Sequence, residues 1–138
     1  MASRLVIIDG NALLYRSHYA RLSLMTSMKR PSGGFYGFLR TFQALHKRFK
    51  PCHFMMCFDD GYSGREKIYP EYKQTAARKN GSSRPQSFTE QLTHVRAFFK
   101  AIGIPALKVP GIEADDLISV AVCRWLAIKS HNSAIIVS

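Results

Sequence analysis

The chain has 138 residues, 20 Lys plus Arg against 9 Asp plus Glu, and a formal net charge of +11. That length bounds it to one domain, or part of one, around a single core, and a content of 46% hydrophobic and 21% charged residues is that of globular material. No apolar run approaches the ~18–20 residues that span a bilayer, and the apolar opening stops too soon, at Asp9, for a signal peptide. A membrane is therefore not an expected partner, and the cytoplasm is the expected location.

Residues 5–8, Leu-Val-Ile-Ile, read as a buried strand closed by the turn Asp9-Gly10-Asn11. Residues 12–22 suit a helix, and Pro31-Ser32-Gly33-Gly34 reads as a loop. Phe35, Phe38, Leu39, Phe42, Leu45 and Phe49 recur at helical spacing until Pro51 stops the helix. Residues 53–58 form a second apolar strand, closed by Asp59-Asp60-Gly61. Helical spacing returns over residues 88–102, a short strand is expected over 105–109, a helix runs from Glu113 to about Ile128, and a last strand covers 134–137. This alternation predicts an α/β fold with a mostly parallel sheet flanked by helices. The last strand has no helix after it, so the domain reads as truncated beyond its fourth strand.

The cationic excess favours polyanions, through phosphate contacts and counterion release. Without a basic amphipathic helix bearing a clean apolar face, nucleic acid is favoured over an acidic membrane. Cys52, Cys57 and Cys123 have no CxxC spacing and read as reduced, mostly buried thiols. His18, His46, His53, His94 and His131 lack ligand spacing and receive no role.

Five of the nine acids fall where parallel sheets build sites. Asp9 and Asp59 each follow a predicted strand; Glu113, Asp115 and Asp116 lie at the start of the helix after the third. Parallel strands would bring all five to one edge, where like charges repel unless a cation neutralises them. Oxygen-only ligands select hard ions such as Mg²⁺ or Mn²⁺, and two ions ~4 Å apart suit phosphodiester hydrolysis. Each acid alone has a plainer reading, as a helix cap or a complement to the macrodipole. Asp60 is left with the turn at Gly61. Residues 62–87 lack a sustained apolar period; Arg65, Lys67, Lys73, Arg78, Lys79 and Arg84 alternate there with Tyr69 and Tyr72. Such a segment can hold phosphates and stack unpaired bases.

Leu5-Val6-Ile7-Ile8-Asp9-Gly10-Asn11 with Leu14-Tyr15-Arg16, Gly34-Phe35-Tyr36-Gly37-Phe38, Phe58-Asp59 with Arg65-Glu66 and Tyr69-Pro70-Glu71-Tyr72-Lys73, and Pro110-Gly111-Ile112-Glu113-Ala114-Asp115-Asp116 occur in this order. The series resembles the N-terminal part of the 5′ nuclease domain of bacterial DNA polymerase I and its phage flap endonuclease relatives, with "PGxEADD" the most specific motif. The resemblance implies a PIN-like, 5′ nuclease resolvase-like fold over residues 1–138 and a helical arch near residues 62–87. It implies metal ligation by Asp9, Asp59, Glu113, Asp115 and Asp116, with Lys73 near the scissile phosphate and Tyr72 on the unpaired end. Arg65 and Arg78, with Lys79 and Arg16, would hold phosphates, although Arg78 stands further from Lys73 than the family's arginine does.

The activity so implied is metal-dependent 5′–3′ exonuclease and flap endonuclease hydrolysis of DNA, with two Mg²⁺ or Mn²⁺ ions, in replication and repair near the nucleoid of a bacterial or phage-infected cell. The substrate would carry a 5′ flap or a single-stranded 5′ end. The family's further aspartates and its helix-turn-helix element find no counterpart here, so the expectation is a second chain supplying them, a split or truncated gene, or a degenerate protein, with weak or no activity of this chain alone. The alternatives are a nucleic-acid-binding fragment or subunit without catalysis and a nuclease acting on RNA.

Overall fold

The computed structural model describes residues 3–51, 53–60, 69 and 84–138. Strands β1 (Arg4–Asp9), β2 (His53–Phe58), β3 (Ala106–Lys108) and β4 (Ser133–Val137) form one sheet in the order β3-β2-β1-β4. Every pairing is parallel, with Ile7 opposite Met55 on one side and Ile136 on the other. Helices α1 (Gly10–Tyr19), α2 (Gly33–Phe49), α3 (Gln86–Ala101) and α4 (Ala114–Ile128) connect them. The expected α/β class is therefore the observed one.

The strand order dictates which face each helix covers. The chain steps outward from β1 to β2 to β3 through α1, α2 and α3, then reverses past β1 to β4 through α4. Right-handed crossovers put outward connections on one face and the return on the other. Side chains alternate along a strand, so Val6, Ile8, Met56 and Phe58 meet Leu14, Phe38, Phe88, Val95 and Phe99 on the first face. Leu5, Ile7 and Cys57 meet Ala114 and Ile118 of α4 on the second. Of the expected thiols, Cys57 is buried and Cys123 is exposed on α4, while Cys52 lies outside the described residues. No helix among the described residues is long and apolar enough to cross a membrane.

Two local expectations change. The first helix ends at Tyr19 rather than at residue 22. Ala20 N–H still bonds Arg16 O, but the chain then turns back, and Ser32 N–H and Oγ–H both donate to Leu24 O at 3.0 and 3.3 Å. Gly33 and Gly34 belong to the first turn of α2 instead of a loop. A Cβ on Gly33 would overlap the Arg21 carbonyl, and one on Gly34 would crowd Gln91 Oε1 and Leu14. Glycine here lets α2 lie directly on α1.

A buried amide locks this helix face. Gln91 of α3 accepts the Phe35 N–H at 3.0 Å and donates to Ser87 O and His18 Nδ1, each at 3.0 Å. His18 and Gln91 are almost fully buried, so pairing satisfies groups that would otherwise be costly to desolvate. His18 therefore has a structural role that its sequence context did not disclose.

Candidate metal and nucleic-acid site

Asp9 ends β1 with extended backbone geometry and caps α1, its Oδ1 accepting the Ala12 N–H at 2.9 Å. The capping reading of Asp9 is thus correct, and it is compatible with a second role because a carboxylate has another oxygen. Burial pushes the Asp9 carboxyl above its ordinary value, the charges of Asp59 and Asp115 push it further, and the Ala12 and Asn11 backbone N–H groups pull it back. The neighbouring strand feels the same charge: Cys57, the register partner of Asp9, has its thiol pushed up to about 11 by burial and then by Asp9.

Asp59 follows β2 and is held from both sides. Its N–H donates to Asn11 Oδ1 at 3.2 Å, and its Oδ1 accepts the Ala114 N–H at 2.8 Å. The second bond caps α4 from another strand. Glu113 occupies the N-cap position of α4 without making a side-chain cap bond, so capping does not account for that glutamate. Asp115 and Asp116 stand in the first turn of α4, Asp115 exposed and Asp116 half-buried. The N-termini of α1 and α4 both meet this edge, where their dipoles favour negative charge.

The structure brings Asp59 and Asp115 each within electrostatic reach of Asp9. Among the described residues, no three His, Cys, Asp or Glu side chains stand close enough to enclose a metal ion as they are. The donor set nevertheless fits a hard divalent cation: it is all oxygen, and Asp9's burial and negative neighbours leave an electrostatic deficit that a cation would fill. Arg16 lies on the exposed side of α1, two turns from Asp9, and lines a groove of about 610 Å³ beside β4 with Arg21, Arg48, Leu45 and Val137. Arg65, Tyr72, Lys73, Arg78 and Lys79 lie outside the described residues.

Sequence reasoning missed two supports. Asn11 reads as a turn residue in Asp-Gly-Asn, yet it is buried and holds Asp59. The turn expected with Gly61 lies outside the described residues, but Asp60 also pairs with Lys108 and accepts the Gly111 N–H. Only its place beside Asp59 hinted at this edge.

Comparison with known proteins places these features in a family. Residues 4–138 match the family model described as the 5′-3′ exonuclease, N-terminal resolvase-like domain. A 5′-3′ exonuclease of Aquifex aeolicus is 38% identical over 116 residues, covering 83% of this chain and 38% of the relative. The DNA polymerase I of Pseudomonas aeruginosa is 36% identical over 115 residues, covering 83% of this chain but 12% of the polymerase. A bacteriophage T5 protein co-crystallised with metal ions shares the fold at a TM-score of 0.69 and 22% identity, over 98% of this chain and 49% of its own. The chain thus spans less than half the length of each of these relatives. With nearly every residue inside the matched region, the chain belongs to the family of 5′-3′ exonuclease N-terminal resolvase-like domains.

Proposed function

We propose that the chain carries the acidic half of a 5′–3′ nuclease centre acting on DNA, as exonuclease and flap endonuclease. The observation that carries this reading is the placement of half-buried Asp9, Asp59 and the acids that open α4 at one edge of a parallel sheet, in a chain of net charge +11. Acids gathered at one sheet edge repel one another, and a divalent cation among them would relieve that repulsion. The relatives named as exonuclease and polymerase support DNA as the substrate class, and the T5 structure with metal ions supports a divalent cofactor.

In this reading Asp9, Asp59, Glu113, Asp115 and Asp116 hold Mg²⁺ or Mn²⁺, two ions in the working site. A divalent cation there supplies Lewis-acid activation of the phosphodiester and a nucleophile at neutral pH. The chain's residues do the rest. Asp9 and Asp59 offer one oxygen each after capping α1 and α4, which fixes their orientation. Lys73 neutralises charge at the scissile phosphate, Arg65, Arg78, Lys79 and Arg16 hold flanking phosphates, and Tyr72 stacks on an unpaired 5′ end.

The test is a labelled 5′-flap DNA incubated with the chain and Mn²⁺. Slow, metal-dependent release of the flap strand, lost in Asp115→Ala, is expected. Salt-sensitive DNA binding with no Mn²⁺-dependent cleavage, weakened by Lys73→Ala and unaffected by Asp115→Ala, would replace this reading with the binding-only one.

A further inference from the structure

Asp60 spends both carboxylate oxygens on one distant stretch of chain. Its Oδ1 lies 3.0 Å from Nζ of Lys108, the last residue of β3. Its Oδ2 accepts the N–H of Gly111, 51 positions along the sequence, at 3.1 Å. Gly111 adopts a left-handed φ of 74°, which few other residues tolerate, and the same turn is closed by Ile112 N–H on Val109 O at 3.1 Å. Just beyond the turn, Ala114 N–H bonds Asp59. The adjacent pair Asp59-Asp60 therefore grips the β3–α4 turn at both of its ends. Ile112 and Glu113 lie between the grips, and Asp115 and Asp116 follow immediately. Asp60 has a cation of the fold itself, Lys108, as partner.

We propose that Asp60 is a positioning residue: by holding Lys108 and Gly111 it fixes the β3–α4 turn, and with it the stance of Glu113, Asp115 and Asp116 toward Asp9 and Asp59. Its consequence for metal rests on the nuclease reading above, whereas its hold on the turn does not. A surface ion pair with no such duty contributes little to overall stability, so a purely structural role and a positioning role predict different readouts.

The test compares Asp60→Ala and Asp60→Asn with the parent in the full chain. Amide hydrogen exchange of the metal-free protein is measured first, then the Mn²⁺ dissociation constant from the resonance of free Mn²⁺, then Tm. In Asp60→Ala the amides of residues 111–116 exchange several-fold faster, the Mn²⁺ dissociation constant rises about tenfold, and Tm stays close to the parent's. Asp60→Asn keeps an oxygen for the Gly111 N–H and recovers most of the protection and affinity. Unchanged protection at Gly111 and Ala114, or protection lost equally across the whole sheet, overturns the proposal, as does a Mn²⁺ constant altered by less than about twofold. A parent chain that takes up no Mn²⁺ sinks the metal reading instead, and the exchange arm still decides whether Asp60 holds the turn.

Discussion

At the carboxyl ends of β1, β2 and β3 stand Asp9, Asp59 and the acids of α4; at the amino ends of the same sheet lies an apolar groove of about 820 Å³, lined by Phe42, His46, His53, Phe54, Ile104 and Trp125. No acid among the described residues lines the groove. Its two histidines are occupied with rings, His46 stacked on Phe54 at 6.0 Å and His53 edge-on to Trp125 at 5.1 Å. The acidic edge is crossed by side-chain to backbone bonds between elements far apart in sequence: Asn11 to Asp59, Asp59 to Ala114, Asp60 to Gly111. Strand direction explains the difference. The carboxyl edge receives helix N-termini, whose unpaired N–H groups hold carboxylates in place, and the amino edge receives helix C-termini.

The largest effect expected from that contrast is on stability. Phe58→Ala, at the acidic end of β2, removes a fully buried ring packed against Gly10 and is expected to cost about 3–5 kcal/mol. Phe54→Ala, at the groove end of the same strand, truncates a half-buried ring and should cost about 1–2 kcal/mol. Urea denaturation measures both; equal costs would mean that the two ends are packed alike. Next comes Gln91→Leu, which strands the Phe35 N–H and the His18 ring together, for a loss of about 2–3 kcal/mol in the same assay. Its Mn²⁺ affinity should stay near the parent's, because the lock joins helices and touches none of the acids.

Much of this was legible in the chain. The runs at Leu5 and His53 and the stripe from Phe35 to Phe49 gave both long strands and the second helix nearly to the residue, because period and burial agree there. The acids at Asp9 and Asp59 were legible because they directly follow those strands. The end of α1 was not, because what stops it is the packing of Gly33 against Arg21 and the pairing of Leu24 with Ser32, contacts that no local period encodes. Asn11, Asp60 and Gln91 were missed for the same reason: each is a small or polar side chain whose partner lies 48, 51 or 56 positions away. Such residues look like turn or surface material until the fold supplies the other half of the bond.

The smallest effect is the most telling about the acidic edge. Asp9's carboxyl is raised in the folded chain, by burial first and by Asp59 and Asp115 next. A group raised on folding contributes stability below its unfolded value, and that contribution is lost as pH climbs through the folded value. At neutral pH the ionised Asp9 therefore weighs against the metal-free fold. Asp9→Asn keeps an oxygen for the Ala12 N–H while removing the charge. The metal-free variant should be the more stable chain at pH 7, by less than about 1 kcal/mol because the group is half-exposed and solvent screens it. That advantage should fade as pH falls below the ordinary carboxylate range, where the parent's Asp9 is neutral too. Saturating Mn²⁺ should reverse the order, since a ligand stabilises only the chain that binds it. If the order does not reverse, the charge at Asp9 is a plain cost of capping α1, and the acidic edge differs from the groove in polarity but not in purpose.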